Sequence, residues 1–427
     1  MIKLVLGGAA AAALAAASPA LGQSPGAFPA ATSVAGVYDA HRIEPIWFHN
    51  GSLDEAAVAK LVAILQRAPF DGFAEGPALA AQVQSAVTQA RTGGSTPQAA
   101  ADKVLSAAWV QYVQALKRPT AGMAYAFDVL KPQGIRADQI LLTASAAPSL
   151  AGHLDATANP NVIYTQIRDA AYAEAQATGN VTPDPRMLAN LDRLRSIPNK
   201  GRFMVVDSGN QTLTLFENGR PYDMMKVVAG KTDSPTPMIG SIMYYMVYNP
   251  YWNAPDNLVR KIAQNYLNLG DSYLKTRGYQ VMKDWTSTSE VLPSEQVNWK
   301  AVATGKERIR IRQKPSDDNS MGDLKFPFPN DQDIFLHDTP QRSYFARASR
   351  MLSNGCVRLE DARRLARWLL GREPVAPNGD AEIQVQLPQG VPIYLTYVTA
   401  QVRDGKIAYL PDPYGWDKGV TRQMASN

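Results

Sequence analysis

The feature that most narrows the possible fold is a change of period at Arg202. From Ala27 to about Pro198 the chain is rich in Ala, and its apolar residues recur at helical intervals. In NGSLDEAAVAKLVAILQRAP the residues Leu53, Val58, Leu61, Val62 and Leu65 trace one face, and Ser52 with Glu55 has capping-box spacing. In TGGSTPQAAADKVLSAAWVQYVQALKRP, Thr96 reads as an N-cap and Pro97 as the first helical residue, with Val104, Ala108, Tyr112 and Ala115 on one face. PRMLANLDRLRSIP places Met187, Leu188, Leu191 and Leu194 together. Stripes of this kind are core faces of packed helices. After Arg202 the pattern alternates and turns to Val, Thr, Leu and Met. Asn218-Gly219 and Asp404-Gly405 separate strand-like runs, which is a hairpin signal.

Two segments interrupt the β-rich half. Residues Asp256 to Pro329 mix helical pieces, an alternating run (ERIRIRQ) and several prolines, and read as an insertion. EDARRLARWLLGR reads as a helix whose face is Ala362, Leu365, Ala366 and Leu369; Glu360 and Asp361 stand at its start and Gly371 at its end. The expected class is therefore α+β. A mainly α-helical domain spans 23–198 and a β-rich domain 199–415, the latter carrying a capping segment at 256–329 and followed by a tail at 416–427.

The first residues are not part of that fold. Lys3 precedes an apolar run from Leu4 to Ala17, and Ala20-Leu21-Gly22 offers small residues for cleavage, so residues 1–22 read as a secretory signal peptide. No later run is long enough to span a membrane. The net charge of +5, without a block of Lys or Arg, argues against a nucleic-acid partner. His41, His49 and His153 lack metal-site spacing and read as structural or surface residues.

An exported chain with a single cysteine, Cys356, has no internal disulfide, so its thiol is either inert or reactive. His337 lies nineteen positions upstream, at the end of the strand-like run DIFLHD. A strand, a crossing loop and a return would bring the pair together, and Gly355 permits a sharp turn whose N–H groups face one spot. That combination suits acyl transfer through a Cys-His pair. A buried cysteine with an unrelated histidine remains the alternative on these two residues alone.

The flanking residues extend the reading. LHDTP and SNGCVRL together are similar to the cysteine motif of the L,D-transpeptidases, the YkuD-type enzymes that cross-link peptidoglycan. KVVAGKTDSPTPMIGSIMYYMVYNPYWNAP, LKFPFPNDQDIFLHDTP and VPIYLTYVTAQVRDGKIAYLPDPYG resemble further family segments, and YDAHRIEPIWFHNG resembles the start of the helical scaffold domain of the large periplasmic subgroup. The resemblance is close from Arg202 to Asp417 and looser before it.

The resemblance implies a YkuD-like catalytic domain in which Cys356 is the nucleophile and His337 the general base. It implies that Gly355, Asn354 and Ser353 shape the loop and its oxyanion donors. Arg358 would bind a substrate carboxylate or, alternatively, make a structural salt bridge. Asp338 would orient His337 or line the substrate site, or serve only as a turn residue. Many members have a histidine where this chain has Asn354. The thiol is expected to face a cleft and to be acidified by His337. The implied partners are peptidoglycan stem peptides as donor and acceptor, joined through a thioester, 3→3 cross-links being favoured. A 1→3 link, protein attachment to the wall and carboxypeptidase hydrolysis are variants of the same chemistry. A secreted thiol peptidase or amidase and an inactive wall-binding scaffold are rivals. No metal or organic cofactor is implied, the location is periplasmic and cell-wall associated, and the oligomeric state is left open. The aromatic residues Tyr266, Tyr273, Tyr279 and Trp299 of the capping segment would either cover the cleft or form that segment's own core.

Overall fold

The computed structural model describes residues 31–132, 134–286 and 289–418. The expected signal peptide lies outside them. Among the described residues no helix is long and apolar enough to cross a membrane.

The N-terminal domain is helical. Helix α1 (Ala31–His41) leads into a tight hairpin of β1 (Phe48–His49) and β2 (Ser52–Leu53), then α2 (Glu55–Arg67), α3 (Gly76–Thr92) and α4 (Ser95–Leu116). The hairpin corrects the expected cap of α2. Ser52 is paired with His49 across the turn, so capping moves to Asp54, whose carboxylate accepts the Ala57 N–H at 2.9 Å. Glu55 is drawn instead to Arg91 of α3. Helix α4 begins at Ser95 after Gly94, one residue before the expected Thr96 cap. It also buries more than one face, including Leu105, Trp109, Val110 and Val113, because it runs through the centre of the domain. The short β3 (Ala124–Tyr125) follows, then α5 (Ala137–Ser145), α6 (Leu150–Ala158), α7 (Val162–Thr178) and α8 (Pro185–Leu194). A fully buried Arg168–Asp71 pair sits in this core, with Tyr112 and Tyr164 also donating to Asp71. Those extra donors satisfy the carboxylate, which a buried charge requires.

The β-rich domain opens with β4 (Phe203–Asp207), β5 (Thr212–Glu217), β6 (Arg220–Gly230) and β7 (Ile239–Tyr248). Asn218 and Gly219 turn the β5–β6 hairpin with φ of 50° and 73°. A Cβ on Gly219 would fall 1.9 Å from the Asn199 carbonyl, so the turn also needs glycine for space. The chain then leaves the sheet to build a cap: β8 (Trp252–Asn253), α9 (Asp256–Leu269), α10 (Asp271–Thr276), β9 (Tyr279–Met282), β10 (Val291–Leu292), α11 (Trp299–Ala303) and β11 (Arg310–Gln313). The cap has its own sheet, ordered β10-β9-β11-β8, and its own core around Val259, Ile262, Trp299 and Ile311. Tyr266 stacks on Trp299 at 4.1 Å, and Tyr273 and Tyr279 pack beside them. All four aromatics thus belong to the cap's interior rather than to the cleft.

After the cap come β12 (Leu324–Pro327), β13 (Phe335–His337), β14 (Met351–Ser353), β15 (Val357–Leu359), α12 (Ala362–Leu370), β16 (Ile383–Thr396), β17 (Ala400–Arg403) and β18 (Lys406–Tyr409). The order β12-β13-β15-β6-β5-β4-β16-β7 closes on itself, because β12 also pairs with β7. Residues 324–327 therefore belong to this closed sheet and not to the insertion, whose own elements run from Trp252 to Gln313. Closure removes the exposed edges that an open sheet would carry.

Alternation along the strands sets two cores. Met204 and Val206 face the barrel interior with Leu336, Val357, Leu365 and Leu369, whereas Phe203 and Val205 face the helical domain. Strand β3 adds to the edge of β7, so the helical domain also contributes a strand to the larger sheet. The expected tail does not begin at 416. Trp416 and Asp417 are packed against α8: Asp417 accepts from Arg193 at 2.7 Å and from Arg186 at 2.6 Å, and the Trp416 carbonyl accepts from Arg193. The tail residues from 419 onward lie outside the described residues.

Candidate active site

Three neighbouring strands supply the floor of a cleft of about 980 Å3. Lys325 of β12 is level with His337 of β13, which is level with Arg358 of β15. One step along, Pro327 is level with Phe335, and Cys356 immediately precedes Val357, the partner of Leu336. Because side chains alternate, Leu324, Phe326, Leu336, Val357 and Leu359 point into the core, and the intervening residues share the cleft face. Cys356 lies two residues before Arg358, the parallel partner of His337, so the two stand diagonally on the same cleft face.

The thiol follows a strained turn. Gly355 has φ of 113°, a region open to glycine and closed to most other residues. Its carbonyl accepts from Thr236 Oγ1 at 2.7 Å, and that hydroxyl accepts the Gly230 N–H at 2.8 Å. A trans peptide sets C=O and N–H antiparallel, so the anchor on the Gly355 carbonyl aims the Cys356 N–H the opposite way. The Gly355 N–H donates to Ser353 Oγ at 3.2 Å, which takes it out of the expected set of oxyanion donors and leaves those of Asn354 and Cys356. Asn354 is exposed at the cleft. The Thr236 loop is braced by Tyr414, whose hydroxyl donates to the Gly230 carbonyl and accepts the Thr236 N–H.

Both members of the pair are neutral at rest. Burial, with Arg358 and then Lys325 adding to it, holds His337 down at about 3, against opposing backbone contacts at Asp338 and Met321. Burial pushes the Cys356 thiol up to about 11; the Phe335 backbone, Lys325 and Arg358 act against this, and Asp333 with it. The thiol donates to the Asp333 carbonyl at 3.6 Å, Asp333 being held at φ of 53°. The expectation of a thiol acidified by His337 is corrected here: desolvation on the sheet face outweighs the nearby positive charges.

His337 Nδ1 lies 2.6 Å from the Asp338 carbonyl. A carbonyl only accepts, so Nδ1 carries the proton and Nε2 keeps its lone pair. The Asp338 carboxylate does not line the cleft; it accepts from Arg342 at 2.7 Å and from the Asp323 N–H at 3.1 Å. Arg358 lines the cleft, donates to Gln341 Oε1 at 3.0 Å and lies over Tyr344, with its Nε buried and unpartnered. Among the described residues no carboxylate pairs with it, so the structural salt bridge considered for Arg358 does not form.

Thr236, Tyr414, Asp333 and Lys325 were not singled out from sequence. Alternation in LKFPFP, with Lys325 between two buried apolar residues, was a usable signal for the last. Tyr414 lies in the family-like segment that ends in PDPYG, but its role depends on how the chain after β18 folds back onto the Thr236 loop. His41 faces Asp138 and His153 packs on Trp109, both in the helical domain. Among the described residues no cluster of His, Cys, Asp or Glu is suited to a metal ion.

Residues 201–383 match the YkuD family, described as an L,D-transpeptidase catalytic domain, and residues 32–170 match a family described as a scaffold domain. A Haemophilus influenzae protein with the provisional name L,D-transpeptidase is 25% identical over 398 residues, which cover 91% of this chain and 78% of that protein. Among solved structures, the Ldtfm–avibactam carbamoyl enzyme aligns at 12% identity with a TM-score of 0.23, over 47% of this chain and 50% of that one. A Bdellovibrio bacteriovorus protein aligns at 12% identity with a TM-score of 0.18, over 53% and 57%. The chain thus spans about half of the length of these solved chains.

Proposed function

We propose, for a chain that belongs to the L,D-transpeptidases by its YkuD catalytic domain and its scaffold domain, that it joins peptidoglycan stem peptides through a thioester on Cys356. The observation that carries this reading is a neutral imidazole, its Nδ1–H held by the Asp338 carbonyl, on the same cleft face as the chain's one thiol. A neutral imidazole is competent as a base at the moment of attack, without a preformed thiolate.

In the first half-reaction Cys356 Sγ bonds to the carbonyl carbon of the donor's third residue, and its proton passes to His337 Nε2. The oxyanion is met by the N–H groups of Cys356 and Asn354. The C–N bond to the fourth residue breaks, and the imidazolium returns the proton to the departing amine. In the second half-reaction the amine of another stem attacks the thioester, His337 takes its proton, and the departing thiolate is reprotonated. The product of a third-residue acceptor is a 3→3 link. Ser353 and Gly355 hold the loop, Asp338 orients His337 through its carbonyl, and Arg358 is available to a donor carboxylate as a two-point contact. The cap, which reaches the cleft through Trp252, Pro255 and Leu258, limits water and favours transfer over hydrolysis. This reading includes export by the signal peptide at 1–22, a periplasmic site of action, a helical domain at 23–198 and a catalytic domain that begins at 199 and includes Trp416 and Asp417.

The test is mass spectrometry of purified tetrapeptide muropeptides incubated with the protein. A cross-linked dimer with release of one alanine is expected, absent with Cys356→Ser. A product mixture identical with and without the protein refutes the reading.

A further inference from the structure

Among the described residues the cleft holds two cations that lack anionic partners, and the reaction described above uses only one. Lys325 and Arg358 stand on either side of His337 in the same cross-strand row. Strand spacing puts their backbones roughly 10 Å apart. Among the described residues neither forms an ion pair, and the only carboxylate lining the cleft is Asp333. Lys325 Nζ rests 4.4 Å from the centre of the Phe335 ring, leaning toward the row that contains Cys356. Contact with a ring face compensates an ammonium only partly. Arg358, by contrast, is fixed by Gln341 and Tyr344. The row is therefore asymmetric: a braced guanidinium on the strand of the nucleophile, and a movable ammonium beyond the base.

We infer that Lys325 recognises the free carboxylate of the amino acid that leaves, so that the site selects donors that end at that residue. This rests on the acyl-transfer reading. The departing amine must lie at His337 to receive its proton, and its own carboxylate is one carbon away. Lys325 is the cross-strand neighbour of His337 on the side away from Cys356, within reach of that carboxylate. A donor extended by a further residue, or capped as an amide, presents no charge there and leaves the ammonium unpaired.

The experiment compares two matched tetrapeptide donors, one with a free terminal carboxylate and one with a terminal carboxamide, following release of the leaving amino acid or its amide. A charge-assisted hydrogen bond corresponds to a preference on the order of tenfold to a hundredfold in kcat/KM for the acid in the wild type. Lys325→Ala is expected to bring the ratio near one, with the loss chiefly in KM for the acid, and Lys325→Arg to retain the preference. The ratio is internal to each sample, so partial unfolding lowers both rates without moving it. If Lys325→Ala does not fold, Lys325→Gln, which keeps a hydrogen-bond donor without charge, is measured instead and is also expected to lose the preference. A wild type with no preference, a neutral variant that keeps it, or equal losses on both donors overturns the role of Lys325 and leaves acyl transfer standing. Release from neither donor by the wild type overturns acyl transfer and this inference together.

Discussion

Replacing Thr236 by Val should loosen the turn that carries Cys356 without touching Cys356 or His337. Thr236 is 1% exposed, and Val matches its shape. The substitution removes the hydroxyl that accepts the Gly230 N–H and donates to the Gly355 carbonyl. Both glycines are buried, so two polar groups lose their partners at about 1–3 kcal/mol each, or roughly 2–6 kcal/mol together. The larger effect falls on reactivity. Gly355 is free to rotate, and its carbonyl anchor is what aims the Cys356 N–H. Removing one oxyanion donor slows acyl transfer by about 10²–10³ where it has been measured, so a loss of at least tenfold is expected here. The assay is the rate of Cys356 acylation by the tetrapeptide donor of the proposed reaction, followed as release of the leaving amino acid, alongside a denaturant midpoint. Thr236→Ser keeps the hydroxyl and should stay within about threefold of wild type, under 1 kcal/mol of barrier. A Val variant that acylates at the wild-type rate, or a Ser variant as slow as Val, would refute the anchoring argument.

Further outcomes follow from the same geometry. His337 is buried with its proton affinity lowered to about 3, so the unfolded chain binds that proton first, and stability should fall as pH drops from about 6.5 toward 3. His337→Gln should flatten the slope over that window by about one proton, or 1.36 kcal/mol per pH unit, in denaturation midpoints taken at several pH values. Because burial pushes the Cys356 thiol up to about 11, its alkylation by iodoacetamide should keep rising with pH beyond 9; a plateau near neutrality would contradict this. Asp417→Ala leaves the buried Arg193 without its carboxylate and should cost about 3–5 kcal/mol, read as a lower thermal midpoint and faster proteolysis of the C-terminal segment. Asn253 and Arg312 are paired across β8 and β11, so residues 254–311 can be replaced by an Asn-Gly turn that keeps β12 in the barrel. That variant should still acylate, while its ratio of cross-linked to hydrolysed product falls; an unchanged ratio would remove the cap from the account.

What could be read along the chain was what depends on neighbours a few positions away. The switch from helical to alternating period separates the two architectures. Asn218-Gly219 and Asp404-Gly405 mark real hairpins, and Gly371 ends α12 at φ of 68°, because left-handed turns require particular residues locally. Cys356 and His337 stood out because the chain has so few residues of either type. Local rules went astray where a distant partner competed, as at Ser52, which pairs with His49 and yields the cap of α2 to Asp54. They also misjudged the insertion, whose last part, Leu324–Pro327, is held in the barrel by β7 and β13, strands distant from it and close to it in sequence respectively. The electrostatic state of the site was furthest from view. A thiol beside a histidine suggests an acidified nucleophile. Burial is a property of the assembled sheet, though, and it leaves both groups neutral. Registry across β12, β13 and β15 likewise decides that Lys325 and Arg358 flank His337, and the chain folding back after β18 brings Tyr414 to the loop that aims Cys356. Turn and periodicity preferences act through the local backbone, whereas desolvation and registry arise only once remote strands share a face.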